Sequence, residues 1–254
     1  MNALEITQKP KKQIVYQERD GKPMGETDTH RRWIMWLIMM LQQYYANQPT
    51  YVSGDLLLYY EEGNPRRFIV PDVFVVKNHP PGDRRVYKLW EEKRAPDIIF
   101  EITSPSTKKV DQDFKMTLYA RLGVQEYFLY DPLDEYLSPS LQGYQLLGGR
   151  YVEMLPIEQG AFYSRVLGLI LRLNGVDIEL YYPNGERLLT PEERIEEEMH
   201  RAEEETRRAE EEKRRAEEEK RRAEEEAKRA NKAEARLAKL EEELQELRRK
   251  LGQE

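Results

Sequence analysis

The sequence predicts an α/β fold with a mixed central sheet, added β-hairpins and a long C-terminal helix. Three observations predict it. Between residues 28 and 130 an apolar helical run, three strand-like runs, a second helical stretch and a buried strand-like run follow one another. Beyond residue 131 the pairs Gly148-Gly149, Asn174-Gly175 and Asn184-Gly185 separate short apolar stretches, which is the signature of hairpin turns. From Pro191 onward no further proline and no glycine occurs until Gly252, so nothing interrupts a helix there.

Taken in order, Ile14 to Tyr16 reads as a short strand or hairpin edge. Asp28 or Thr29 starts a helix that runs to about Ala46. Its segment WIMWLIMML is apolar on nearly all sides, which predicts a helix sandwiched within the fold. Strands follow at about 51–59 and 68–76. The polar segment 77–95, rich in Pro, Gly, Arg and Lys, reads as a long loop. Residues 97–103 (DIIFEIT) form the next strand, ending at Ser104-Pro105. Ser106 or Thr107 starts a helix that stops near Gly123. The run 124–130 (VQEYFLY) is apolar on both faces, as a buried parallel strand requires. A strand, a helix and a strand in that order make a right-handed crossover.

The boundary between two domains falls at residue 190. Thr190 can cap, Pro191 suits the first helical position, and Glu193 completes a capping box. The tail 191–254 reads as one long charged helix, on the order of 90 Å at the usual rise per residue. In its first half alanine recurs every seven residues from Ala202 to Ala230, and glutamate stands three positions after each of the first four, at Glu205, Glu212, Glu219 and Glu226. A zipper needs apolar residues at both places, so this half is a solvated helix braced by pairs such as Glu203 with Arg207 and Glu210 with Arg214. The second half differs. Ala230, Ala233, Leu237, Leu240, Leu244, Leu247 and Leu251 keep a strict 3-4 spacing, so residues 230–251 are coiled-coil-like and a candidate for homo-oligomer formation.

Composition limits the function classes. The chain of 254 residues has no cysteine, which excludes disulfides and thiolate metal sites. Its three histidines, His30, His79 and His200, are far apart and do not suggest a histidine-rich zinc site. The longest apolar run, Trp33 to Leu41, is too short to cross a membrane. The N-terminal stretch MNALEITQKPKKQ has no apolar core and does not read as a signal peptide. The expected compartment is the cytoplasm, with no membrane partner. The tail from Pro191 holds 18 basic and 23 acidic residues of the 41 and 48 in the chain, so the first 190 are nearly neutral. Any groove for nucleic acid must therefore be a local basic feature.

Three charged residues, Asp72, Glu101 and Lys115, stand where a half-buried strand or helix would not ordinarily hold them. Asp72 follows Pro71 just before VFVV, and Glu101 interrupts IIFEIT. A carboxylate within an apolar strand is costly unless paired or metal-bound. Two carboxylates on neighbouring strands can share one magnesium ion through oxygen ligands. Asp97 alternates onto the same strand face as Glu101. Four residues along a strand is about 13 Å, too far for the two to share an ion, so Asp97 reads as a strand-entry residue bonded to nearby backbone. Lys115 lies on the helix after Glu101. Asp111, Lys115 and Tyr119 fall four apart on one face of that helix.

The residues Pro71-Asp72 followed by Glu101-Ile102-Thr103 resemble the PD-(D/E)XK nuclease superfamily, whose core has the same helix-strand-strand-strand-helix-strand order. More closely, HRRWIMWLIMMLQQYY, VPDVFVV, APDIIFEITSPSTKKVDQDFKMTLYARLGVQEYFLYDP and PNGERLLTPEE are similar to the Uma-two family of restriction-type endonucleases, over roughly residues 10–195. The resemblance implies a restriction-endonuclease-like core in residues 1–190. It implies a magnesium-dependent DNA endonuclease, manganese being the alternative ion, with Asp72 and Glu101 as metal ligands. Thr103 stands where the superfamily motif has lysine, and the resemblance implies that Lys115 supplies that charge from the following helix. It also aligns His30 with a histidine that either touches the scissile phosphate or caps and packs. Glu126 and Asp131, in GVQEYFLYD, read as structural. Arg66, Arg67, Arg84, Arg85 and Lys88 flank the long loop, where they either track a phosphate backbone or form a solvated face. The alternative function is a catalytically silent nuclease-like scaffold that associates through its C-terminal helix.

Overall fold

The computed structural model describes residues 15–18, 27–103, 110–135 and 137–251. The chain divides into two units, Met1–Thr190 and Pro191–Glu254. In the first unit the elements are α1 (Asp28–Tyr44), β1 (Thr50–Ser53), β2 (Leu58–Tyr59), β3 (Phe68–Ile69), β4 (Val73–Lys77), β5 (Tyr87–Lys88), α2 (Leu89–Glu92) and β6 (Ile98–Ile102). A π-helical turn (Val110–Lys115) leads into α3 (Met116–Leu122), followed by β7 (Glu126–Tyr130), β8 (Leu141–Leu147), β9 (Arg150–Glu153), β10 (Ala161–Ser164), β11 (Leu169–Asn174) and β12 (Asp177–Tyr181).

The main sheet has six strands in the order β1-β4-β6-β7-β8-β9. Strands β6 and β7 are parallel, joined through α3, and the other neighbours are antiparallel. This mixed sheet has the expected order of a helix, three strands, a helix and a strand, carried by α1, β1, β4, β6, α3 and β7. Strands β10, β11 and β12 form a separate antiparallel meander.

Alternation along the strands builds two cores. Val73 and Val75 of β4, Ile98, Phe100 and Ile102 of β6, and Phe128 and Tyr130 of β7 pack with α1 and the meander. Phe74, Val76, Ile99, Tyr127 and Leu129 face the other way, against Leu118 and Tyr119 of α3. Glu101, between Phe100 and Ile102, is therefore turned to the α3 side by the pleat.

Helix α1 begins where the Thr27 side chain accepts the His30 N–H. It buries one stripe, Trp33, Ile34, Leu37, Met40 and Leu41. The expectation of a helix sandwiched on nearly all sides is corrected here, because Met35 on the opposite stripe is 65% exposed. Apolar residues all round a short helix do not require burial all round.

Two of the expected long strands are broken. The run at 51–59 ends its first strand at Gly54. A Cβ there would sit 2.0 Å from the Asp72 carbonyl oxygen, so this close approach of two backbones admits only glycine. The chain then turns into β2, in a small sheet of order β3-β2-β5. The run at 68–76 is divided by Pro71, which has no N–H for a ladder. The expected loop at 77–95 contains β5 and the single turn α2. Val15 and Tyr16 are not in a strand; Ile14 and the expected helix start at Ser106 or Thr107 lie outside the described residues. The β8–β9 hairpin closes on Gly148 and Gly149 with φ of 57° and 81°, the conformation two-residue hairpin loops require.

The second unit is one helix, α4 (Pro191–Leu251), of 61 residues. It carries Glu192 and Glu193 in its first turn, where the helix dipole favours negative charge. Ion pairs one turn apart join Glu197 to Arg201, Glu204 to Arg208 and Glu218 to Arg222. Among the described residues, no helix is long and apolar enough to cross a membrane.

Candidate active site

The site lies at the end of the main sheet where β6 finishes and β4 begins. The β4–β6 register pairs Val73 with Phe100, and one step further sets Asp72 opposite Glu101. Glu101 lies on the α3 side by the pleat, and Asp72 sits at a bend just before β4. Glu101 is fully buried. A buried carboxylate must be compensated, and two groups from the π-turn and α3 do so. The Lys115 Nζ donates to Glu101 Oε2 at 2.7 Å, and the Tyr119 hydroxyl donates to Oε1 at 2.7 Å. Lys115 and Tyr119 are one helical turn apart, so one helix face grips both oxygens.

Asp72 is held from two other directions. Its Oδ2 accepts the Ile102 N–H at 2.7 Å and lies 3.1 Å from His30 Nε2, at the start of α1. The other oxygen, Oδ1, takes no hydrogen bond among the described residues, and the Asp72 side chain keeps 15% of its surface open. Burial first, and the Glu101 charge second, push the Tyr119 phenol well above its usual range. It therefore stays protonated and acts as a donor.

The structure thus brings Asp72, Glu101, Lys115, Tyr119 and His30 to one sheet end. Asp111 lies in the π-turn, but its side chain falls outside the described residues. Thr103 is buried beside Glu101 in sequence and bonds through its backbone N–H to the Tyr130 carbonyl, continuing the β6–β7 ladder. Asp97 is at the far end of β6. Its carboxylate accepts the Lys77 N–H at 2.7 Å and the Gln125 amide at 3.1 Å, tying the sheet base together.

Sequence reasoning did not identify the Ile102 N–H as the anchor of Asp72, since every residue but proline carries such a donor. The contact of His30 with Asp72 was also not among the roles considered for it. Glu126 is a buried acceptor for Ser164 and for the Arg165 N–H at 2.8 Å, and Asp131 accepts the N–H groups of Leu133, Glu135 and Leu137. Of the basic residues near the long loop, Arg67 pairs with Glu61, Arg84 with Glu92, Arg85 with Glu18 and Lys88 with Glu91.

Among the described residues no three side chains of His, Cys, Asp or Glu converge as a metal cage. The oxygen donors at this sheet end are the carboxylates of Asp72 and Glu101, and Asp72 Oδ1 takes no hydrogen bond among the described residues. Hard oxygens in that small number fit an ion that keeps several of its waters, as magnesium does. They do not fit a closed zinc site.

A family model described as "Putative restriction endonuclease", Uma2, matches residues 2–174. The chain belongs to this family. The Uma2 match contains the whole six-stranded sheet, α1, α3 and every residue of the candidate site. Among solved structures, one described as a putative nuclease belonging to DUF820 from Anabaena variabilis ATCC 29413 is similar at 15% identity and a TM-score of 0.39. That likeness covers 57% of this chain and 86% of that chain. No curated protein matches the chain.

Proposed function

We propose that the protein is a magnesium-dependent DNA endonuclease of restriction type, acting in the cytoplasm, with Asp72, Glu101 and Lys115 as catalytic residues and manganese as the alternative ion. One observation carries this reading. A fully buried glutamate is gripped by a lysine and a tyrosine at the point where the sheet register sets an aspartate opposite it. A buried charge cluster of this kind is expensive to maintain and is characteristic of reaction centres. Membership of the Uma2 family supports phosphodiester hydrolysis as the reaction.

Asp72 and Glu101 would hold the ion through their carboxylate oxygens. When bound, it supplies Lewis-acid polarisation of the phosphate and lowers the pKa of water. Each protein group then has a distinct task. The Ile102 N–H and His30 fix the Asp72 carboxylate through Oδ2, leaving Oδ1 available to the ion. Tyr119 pins one oxygen of Glu101 so that the carboxylate cannot rotate. Lys115, whose side chain keeps 14% of its surface open, presents its positive charge where negative charge grows on the attacked phosphate.

Cleavage of supercoiled and linear DNA with magnesium, with manganese and with chelator tests the reading. The expected outcome is cation-dependent cleavage that disappears in Glu101→Ala. No cleavage by the wild-type protein under any of these conditions would favour the silent scaffold.

A further inference from the structure

The charge pattern beside the leucine seam of α4 has a direction. Leu237, Leu240, Leu244 and Leu247 are each more than half exposed, at 59%, 51%, 52% and 58%. Four leucines on a 3-4 spacing, left exposed by the described residues, form a strip of the kind that buries itself against another helix. In heptad lettering, Ala230, Leu237 and Leu244 take position a, and Ala233, Leu240 and Leu247 take position d. The flanking e positions are then Glu234 and Glu241, and the g positions are Arg229, Arg236 and Glu243.

We propose that residues 229–251 pair with the same segment of a second copy of this chain, as a parallel, in-register, two-stranded coiled coil. In a parallel pair each g residue faces the e residue five positions later on the partner helix. Arg229 then faces Glu234, and Arg236 faces Glu241, each twice by symmetry. An antiparallel pair faces e against e, which sets Glu234 and Glu241 among themselves. Charged residues at every one of these e and g positions also favour two strands, because larger bundles bury those positions.

The first half of α4 carries the opposite instruction. Its d positions are Glu205, Glu212, Glu219 and Glu226. A parallel pair would set Arg208 against Lys213 and Arg215 against Lys220, two repulsions per side. Pairing is thereby confined to the last three heptads. The assembly carries two copies of the unit that contains Asp72 and Glu101, both joined at the same end of the coiled coil.

The absence of cysteine makes orientation directly measurable in the full chain. Ala233 lies at a d position near the start of the seam, and Ala235 lies at f on the outer face. Oxidised Ala233→Cys protein should form a covalent dimer, whereas Ala235→Cys should not. In an antiparallel pair, residue 233 would lie on the order of 25 Å from its copy, too far to bridge. Light scattering should give a dimer for the wild type. Glu234→Arg with Glu241→Arg should weaken association about a hundredfold, since four attractive contacts become repulsive. Adding Arg229→Glu and Arg236→Glu to the same chain should restore it. A monomeric wild type, a trimer, absent Ala233→Cys bridging, or association unaffected by the two glutamate reversals would overturn the proposal.

Discussion

Glu101 is the residue on which the site depends, because it is fully buried and its charge is compensated locally by Lys115 and Tyr119. Lys115→Met keeps the apolar stem but removes the cation. Single-turnover cleavage should fall by about 10²–10³, as for removal of one oriented donor from a charge-stabilising site. Metal affinity, measured by titration calorimetry, should change much less, because the lysine acts mainly on the transition state. Cleavage near the wild-type rate would show that the charge comes from elsewhere. Tyr119→Phe removes one buried donor and should lower stability by about 1–3 kcal/mol in chemical denaturation. Asp72, Glu101 and Lys115 stand out in the sequence as candidates for different reasons. The two carboxylates stand out as charges beside apolar strands. Lys115 stands out as a charge on the following helix, but its role comes only from the family resemblance. Tyr119 was visible solely as its neighbour one helical turn away, because a tyrosine in an apolar helix reads equally well as core.

At the scale of elements, the position of Asp72 depends on a close contact between backbones. Gly54 ends β1 against the Asp72 carbonyl, and a Cβ there would also meet Ile38 Cδ1 at 2.9 Å. Gly54→Ala should therefore push the two segments apart, cost about 1–3 kcal/mol of stability and depress activity beyond what that loss explains. Equal stability of variant and wild type in urea would contradict the close packing. A second polar cluster makes a pH prediction. Burial alone would push the Glu92 carboxyl up, but hydrogen bonds from Arg84 and His79 outweigh it and hold it below its usual 4.5. A lowered folded pKa gives stabilisation that is fully present above about 4.5 and is lost as pH falls through the lower folded value. The melting-temperature difference between wild type and Glu92→Gln should thus be constant near neutrality and narrow below that pH. The elements that the sequence concealed are those shorter than its periodic signals. Strands of two residues, such as β2, β3 and β5, show no alternation, and the breaks at Gly54 and Pro71 interrupt runs that are apolar throughout.

For the whole molecule, the long helix was legible because a proline-free, glycine-free repeat can do little else. The orientation of any partner was hidden until heptad positions were compared across two helices. Residues 1–190 should fold without the tail. A chain ending at Leu189 should keep a single cooperative unfolding transition, and loss of that transition would contradict two independent units. The central claim is that Asp72 and Glu101 share one divalent ion, and thermal unfolding across a magnesium titration tests it without need of a substrate. An ion that binds only the folded state stabilises by about 2.7 kcal/mol at a hundredfold excess over its dissociation constant. The wild-type melting temperature should rise with magnesium, and both Asp72→Ala and Glu101→Ala should abolish the rise. A metal response that persists undiminished in both variants would contradict the shared site.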